Sequence, residues 1–271
     1  MLISTALCSS NQRTNIFPWI LYLATSYSAI TNCSQQIPAI NMKHVLHYGL
    51  QRSGTNYLET LLTANYNVLL LNNNDDRKHP LQKHFRLYAD QTYIPEPQYL
   101  NDLTFSSFAD YEQALGINQR PDLILVISKD PYSWWVSYVN WAKKCKWPEV
   151  AYHYIQEYNQ FYGTWNRFRK EDSRIHFVRY IDMLTHPEKE LTAIAKKYDL
   201  SEKSIRKLLG VKTQFKSVSH SNNFTTDKRI FYAEKEYLSR IDPSEMERIN
   251  SKLDWELMDD LGYEIERGSI G

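Results

Sequence analysis

Cysteine is scarce in this chain: Cys8, Cys33 and Cys145 are its three, odd in number and far apart. They give neither a disulfide framework nor a metal-ligand cluster, and reduced thiols in a cytoplasmic protein are the simplest reading. Net charge is equally thin. Lys and Arg number 32 against 31 Asp and Glu, a formal +1, so no global field draws the molecule to nucleic acid or to an anionic membrane. Any anion site has to be local. No internal repeat or low-complexity tract is present.

Charge is missing altogether from Thr14 to Met42. Within that stretch Ile16 to Ala24 is a short apolar run behind Arg13, shaped like the apolar region of a signal peptide but too short, and too interrupted by Pro18, for a good membrane span. Three readings stay open: a signal or anchor carried by residues 14–31, a disordered extension, or translated sequence upstream of a start at Met42. We expect residues 1–42 to lie outside the fold and 43–271 to form one domain. Membrane association is expected only if the first segment is a real anchor. The tripeptides Asn32-Cys33-Ser34 and Asn223-Phe224-Thr225 are glycosylation sequons that matter only in a secreted chain.

What is present begins at His44. An alternating strand, with Val45, His47 and Leu50 on one side and Leu46 and Tyr48 on the other, runs into a loop bounded by Gly49 and Gly54. A helix carrying Tyr57, Leu58, Leu61 and Leu62 follows. Glycine opens backbone conformations closed to other residues, and a helix start offers free N–H groups and a positive dipole end. The expected ligand is a phosphate. The spacing fits the Gly-x-x-x-x-Gly phosphate loop, but Thr55-Asn56 stands where Lys-Ser/Thr should follow, and the cation has moved inside the loop to Arg52. Losing that Lys weakens the case for nucleotide hydrolysis. A turn that binds nothing is the plain alternative.

At Gln51-Arg52-Ser53-Gly54-Thr55-Asn56-Tyr57 the chain resembles the sulfotransferases, whose loop for the 5′-phosphosulfate of PAPS (3′-phosphoadenosine 5′-phosphosulfate) reads roughly Pro-Lys/Arg-Ser-Gly-Thr-Thr-Trp. This chain departs from it at Gln51, Asn56 and Tyr57. The resemblance implies an α/β fold of three layers, α/β/α, around a central mostly parallel sheet, of the P-loop NTPase-like sulfotransferase kind. It assigns the nucleotide to Arg52, Ser53, Gly54, Thr55, Asn56 and Tyr57. A second match follows the apolar run Leu123 to Ile127, as expected of a covered parallel strand. There Lys129-Asp130-Pro131 and Ser137 keep the family's eight-residue offset from cation to hydroxyl, which implies a grip on the 3′-phosphate, with Lys in place of Arg. Asp130 as a magnesium-holding acid competes with that reading, and so does a solvated Lys129.

Lys83-His84 stands near the family's Lys-Thr-His segment without the intervening residue. By resemblance Lys83 would lie near the sulfonate and His84 would take the acceptor's proton, a role suited to histidine near neutral pH; His79 competes for it. Ile175 to Leu184 reads as a strand resembling the family's Tyr-Glu-Asp-Leu segment, which would put Tyr180 beside the adenine. Lys228-Arg229 stands roughly where the family has Arg-Lys-Gly, and makes Arg229 a further contact. Phe105 to Leu115, Tyr132 to Lys144, a segment opened by Pro187 and a closing segment from Met246 to Leu261 read as helices. In the second of these, Trp135, Val136 and Val139 fit a buried face. A surplus of Trp and Tyr from Trp134 to Trp165 suits a carbohydrate or another flat acceptor.

The expectation is transfer of a sulfonate from PAPS to an acceptor hydroxyl or amine, releasing 3′-phosphoadenosine 5′-phosphate (PAP), with no metal. Arg52, Lys83 and His84 would do the chemistry. A P-loop small-molecule kinase and a non-catalytic nucleotide-binding protein are the alternatives.

Overall fold

Strand and helix alternate as the apolar pattern requires. The computed structural model describes residues 41–72, 83–85, 105–147, 149–204 and 226–265. Its elements are β1 (Lys43–Leu50), α1 (Thr55–Asn65), β2 (Val68–Leu70), the two-residue β3 (His84–Phe85), α2 (Phe108–Leu115), β4 (Leu123–Ser128) and α3 (Pro131–Lys144). These are followed by α4 (Ile155–Glu171), β5 (Ile175–Arg179), α5 (Tyr180–Thr185), α6 (Pro187–Tyr198), α7 (Thr226–Ala233), α8 (Pro243–Asn250) and α9 (Trp255–Asp260). His79, the segment 93–97 that its prolines mark as irregular, the stretches 213–216 and 222–225 expected to close over the nucleotide, both sequon asparagines, Cys8 and Cys33, and the expected extension up to residue 40 lie outside the described residues.

Every pairing among the strands is parallel, in the order β2-β1-β4-β5, and β3 adds itself to the end of β1 with Gly49 opposite His84. The chain is an α/β protein. Helices cover both faces. Val45, Leu123, Leu125 and Ile127 pack with α1, α5 and α6 on one face, and Leu46, Tyr48, Leu50, Ile124 and Val126 pack with α2, α3, α4 and α9 on the other. Leu50 therefore sides with Leu46 and Tyr48, not with Val45 as the alternation was read, because period-two geometry puts residues 46, 48 and 50 on one face. All six residues of β4 are buried, as its continuous apolar run required. From its sequence, Asn67 to Leu71 reads as a short buried strand, but β2 is an edge strand whose Leu69 is 43% exposed.

Helix boundaries follow their caps. Ser107 accepts from the Asp110 N–H at the start of α2, and Asp130 accepts from the N–H groups of Tyr132 and Ser133 at the start of α3. The strand expected over 175–184 ends at Arg179 and gives way directly to α5. The single closing helix expected over 246–261 is two, because Asp254 accepts from Leu257 N–H and starts α9 afresh. The buried aromatics of α3 are Tyr132, Trp134 and Tyr138, whereas Trp135 and Val139 are only half-buried and line a surface cleft of about 430 Å³ with Tyr152, Tyr154 and Glu245. Of the expected buried face, Val136 is buried, while Trp135 and Val139 turn toward the surface.

The tightest point is Gly49. A Cβ there would overlap Ser53 Oγ and lie 2.8 Å from Thr55 Cγ2 and 2.9 Å from Ile127 Cγ2. Gly49→Ala is expected to destabilise the fold by about 1–3 kcal/mol, the usual cost of overpacking; urea denaturation measures it, and an unchanged midpoint would refute the close approach.

Candidate active site

β1 and β4 are neighbours, yet the chain leaves β1 for β2 on one side before returning to β4 on the other. In open parallel sheets a ligand crevice forms at such a reversal, beyond the strand C-termini. The loop after β1 and the Lys129-Asp130 turn after β4 both end there.

Residues 51–54 make the loop. Arg52 and Gly54 have φ of 75° and 107°, left-handed conformations that turn the backbone sharply into α1. Only glycine fits at position 54: a Cβ would stand 2.5 Å from the Tyr180 ring. No side chain caps α1, so its first turn keeps donors for a ligand. Four side-chain atoms here are buried without a hydrogen-bond partner among the described residues: Gln51 Oε1, Arg52 Nε, Ser53 Oγ and Asn56 Oδ1. Buried polar groups are nearly always satisfied, so such a cluster points to a missing partner. Ser53 is fully buried against the Tyr162 phenol.

The Arg52 guanidinium lies 4.8 Å from the Trp141 ring centroid. Burial lowers its pKa, and Tyr232, Tyr180 and Cys145 work against that shift. Arginine stays charged regardless, so this is a poorly solvated cation and an anion beside it would restore what burial removed. Lys129, 3% exposed, donates 2.8 Å to Ser137 Oγ and 2.9 Å to the Tyr232 hydroxyl, with its ammonium over the Tyr232 and Tyr180 rings. The eight-residue offset thus brings Lys129 and Ser137 together. Asp130 is turned onto the N–H groups of α3 and toward Tyr237, which is the position of a helix cap.

One face of α1 carries the rest. Thr55 and Glu59 are one turn apart; Thr55 Oγ1 lies 3.1 Å from His84 Nδ1, and Glu59 pairs with Lys83. Glu59 also lies 3.4 Å from Nε2 of the fully buried His47, whose Nδ1 is 2.9 Å from Asn72 Oδ1. Burial pushes the Glu59 carboxyl up, but His47 and Lys83 outweigh it and hold it at about 2. Burial, then the charges of Lys83 and His47, drive His84 down to about 3. Its imidazole is neutral near neutral pH, the state a base needs.

Two expected residues are placed differently from the others. Tyr57 is in the core, its hydroxyl donating to Met183 O, and Tyr180 packs on Gly54 between Tyr57 and Tyr232. Arg229, on α7, is near enough to Tyr57 to oppose the rise that burial gives its hydroxyl pKa. Sequence reasoning missed Glu59, Trp141 and Tyr232. Each sits one helical turn from a residue it did find: Thr55, Ser137 and Arg229.

Among the described residues no group of three His, Cys, Asp or Glu is arranged to hold a metal ion, and no helix is long and apolar enough to cross a membrane. No protein-family model and no curated protein matches the chain.

The histidines set an acid limit. Burial lowers His47, His84 (about 3) and His176 (about 4) from the ordinary 6.5. They stay neutral in the fold but protonate in the unfolded chain, which binds more protons below 6.5, so stability falls as pH drops through that window. Urea midpoints should decline between about pH 7 and pH 4, and the His84 ring signal in NMR should not titrate above about pH 4. A His84 titration near the ordinary value would refute its desolvated setting.

Proposed function

We propose that the chain is a sulfotransferase of the P-loop NTPase-like kind, moving a sulfonate from PAPS to an acceptor hydroxyl or amine. The observation that carries this reading is the pairing of Lys129 with Ser137 at the end of β4, beside the Arg52 loop at the end of β1. A phosphate loop alone fits many nucleotides. A second cation, the buried Lys129, with the half-buried Ser137 hydroxyl bonded to it, suits a nucleotide with a further phosphate on its ribose, and PAPS is such a nucleotide. The half-buried Trp135, Tyr152 and Tyr154 suit a carbohydrate acceptor, and a small alcohol or amine fits the same chemistry.

In this reading the 5′-phosphate lies on the N–H groups of Gly54 and Thr55 and the hydroxyls of Ser53 and Thr55, with Asn56 at the same helix start. The acceptor oxygen or nitrogen attacks sulfur in line. Its proton goes to His84, the bond from sulfur to the bridging oxygen breaks, and the electron pair leaves on the phosphate of PAP. Arg52 stabilises that oxygen as its charge grows, an effect strongest where water is excluded. Lys83, anchored to Glu59, brings a second positive charge to the same face of α1. Arg229 and Tyr180 close the nucleotide side. Positioning and charge supply most of the acceleration.

Calorimetry tests this directly. PAP should bind far more tightly than ADP without any need for magnesium, and Lys129→Ala should cost PAP about 1.5–3 kcal/mol while leaving ADP nearly unchanged. Equal affinities for PAP and ADP would overturn the reading, and tight magnesium-dependent ADP or ATP binding would favour a kinase. Turnover of PAPS with any acceptor separates an enzyme from a binding protein.

A further inference from the structure

The contact between Thr55 and His84 joins two parts of the site that have separate tasks, one holding phosphate and one moving a proton. Its geometry is tightly fixed. Thr55 is 1% exposed and its methyl carbon packs where a Cβ on Gly49 would be, which leaves Oγ1 directed to His84. His84 is fixed from its own side, since β3 pairs with the end of β1, Gly49 stands opposite His84, and Gly49 N–H donates to Lys83 O.

A hydroxyl has one proton to donate. If Thr55 gives it to His84 Nδ1, the neutral ring carries its proton on Nε2 and has no lone pair there for an acceptor. If Thr55 gives it to a phosphate oxygen, Oγ1 is left to accept from Nδ1–H, and Nε2 is bare. Phosphate is acceptor-only toward such a group and carries charge, so it makes the stronger bond. Lys83, His47 and Arg52 surround the ring and disfavour a second proton, with Glu59 alone acting the other way. The ring's choice is therefore between two neutral tautomers.

We propose that Thr55 is a positioning residue that arms the base: its hydroxyl donates to the 5′-phosphate and accepts from His84 Nδ1–H, so that nucleotide binding presents a bare Nε2 to the acceptor. This rests on the nucleotide reading given above. It makes the order of events chemical, since the base is competent only after the phosphate is seated. The proton balance is simple. The acceptor's proton arrives at Nε2, Nδ1 keeps its own, and the resulting imidazolium stays bonded to Thr55 beside the phosphate that has just gained charge.

The test is nitrogen NMR on protein labelled at histidine, with the His84 signals assigned by their loss in His84→Asn and with PAP as the added probe. In the wild type and in Thr55→Ser, saturating PAP should give Nδ1 protonated and Nε2 bare. In Thr55→Val, which keeps the shape and loses the hydroxyl, PAP should no longer select that tautomer. The transfer rate with PAPS should fall about a hundredfold in Thr55→Val beyond any loss of PAP affinity, the scale expected when a reacting group is misplaced, and Thr55→Ser should restore it. A protonated Nε2 in the PAP-bound wild type overturns the proposal, as does an unchanged tautomer in Thr55→Val. Should that variant fail to fold, the wild-type tautomer alone decides. If PAP produces no binding heat, the nucleotide reading falls and takes this proposal with it; binding with the wrong tautomer removes this proposal alone.

Discussion

At two glycines among the described residues there is no room for a single added carbon atom, and the site is built around them. At Gly49 the loop folds back so closely that Ser53, Thr55 and Ile127 occupy the volume a side chain would need. At Gly54 the Tyr180 ring does the same, while the backbone takes a conformation that β-carbons resist. The two constraints fix where α1 begins. Because α1 then rises one turn from Thr55 to Glu59, they also fix the reach of its hydroxyl and carboxylate toward His84 and Lys83. A loop with slack would leave those contacts to chance.

The same compactness concentrates charge. A chain with a formal net charge of +1 still gathers Arg52 and Lys129 around the Tyr180 and Tyr232 rings, with the Arg52 cation deprived of much of its water. Lys83 and His47 share the Glu59 carboxylate nearby. Local arrangement, not composition, decides whether a neutral protein can attract an anion, because screening in water hides charges that burial does not.

Much of this was legible in the order of residues. The apolar runs at 45–50 and 123–127 and the periodicity of α1 and α6 located the central strands and their covering helices. The glycine pair and the offset from Lys129 to Ser137 marked two turns that follow neighbouring strands. Boundaries were harder. A strand ends at Arg179 and a helix starts at Tyr180 with no proline or glycine to announce it, and Asp254 divides the closing helix by a cap that resembles any surface aspartate. The edge character of Leu69 was invisible because an apolar triplet reads alike at the margin and the centre of a sheet. The partners of the site, Glu59, Trp141 and Tyr232, carry no motif of their own. They become meaningful only once helical spacing is combined with the knowledge of which face looks into the crevice.

The placement of Arg52 over Trp141 gives the protein its own optical gauge. An indole's emission responds to a positive charge held near its ring, and this one is held 4.8 Å from the ring centroid by the loop that a phosphate would occupy. A ligand that draws the guanidinium toward itself changes the field across Trp141. On the proposed reading, filling the loop with an anion would show in Trp141 fluorescence without any added label.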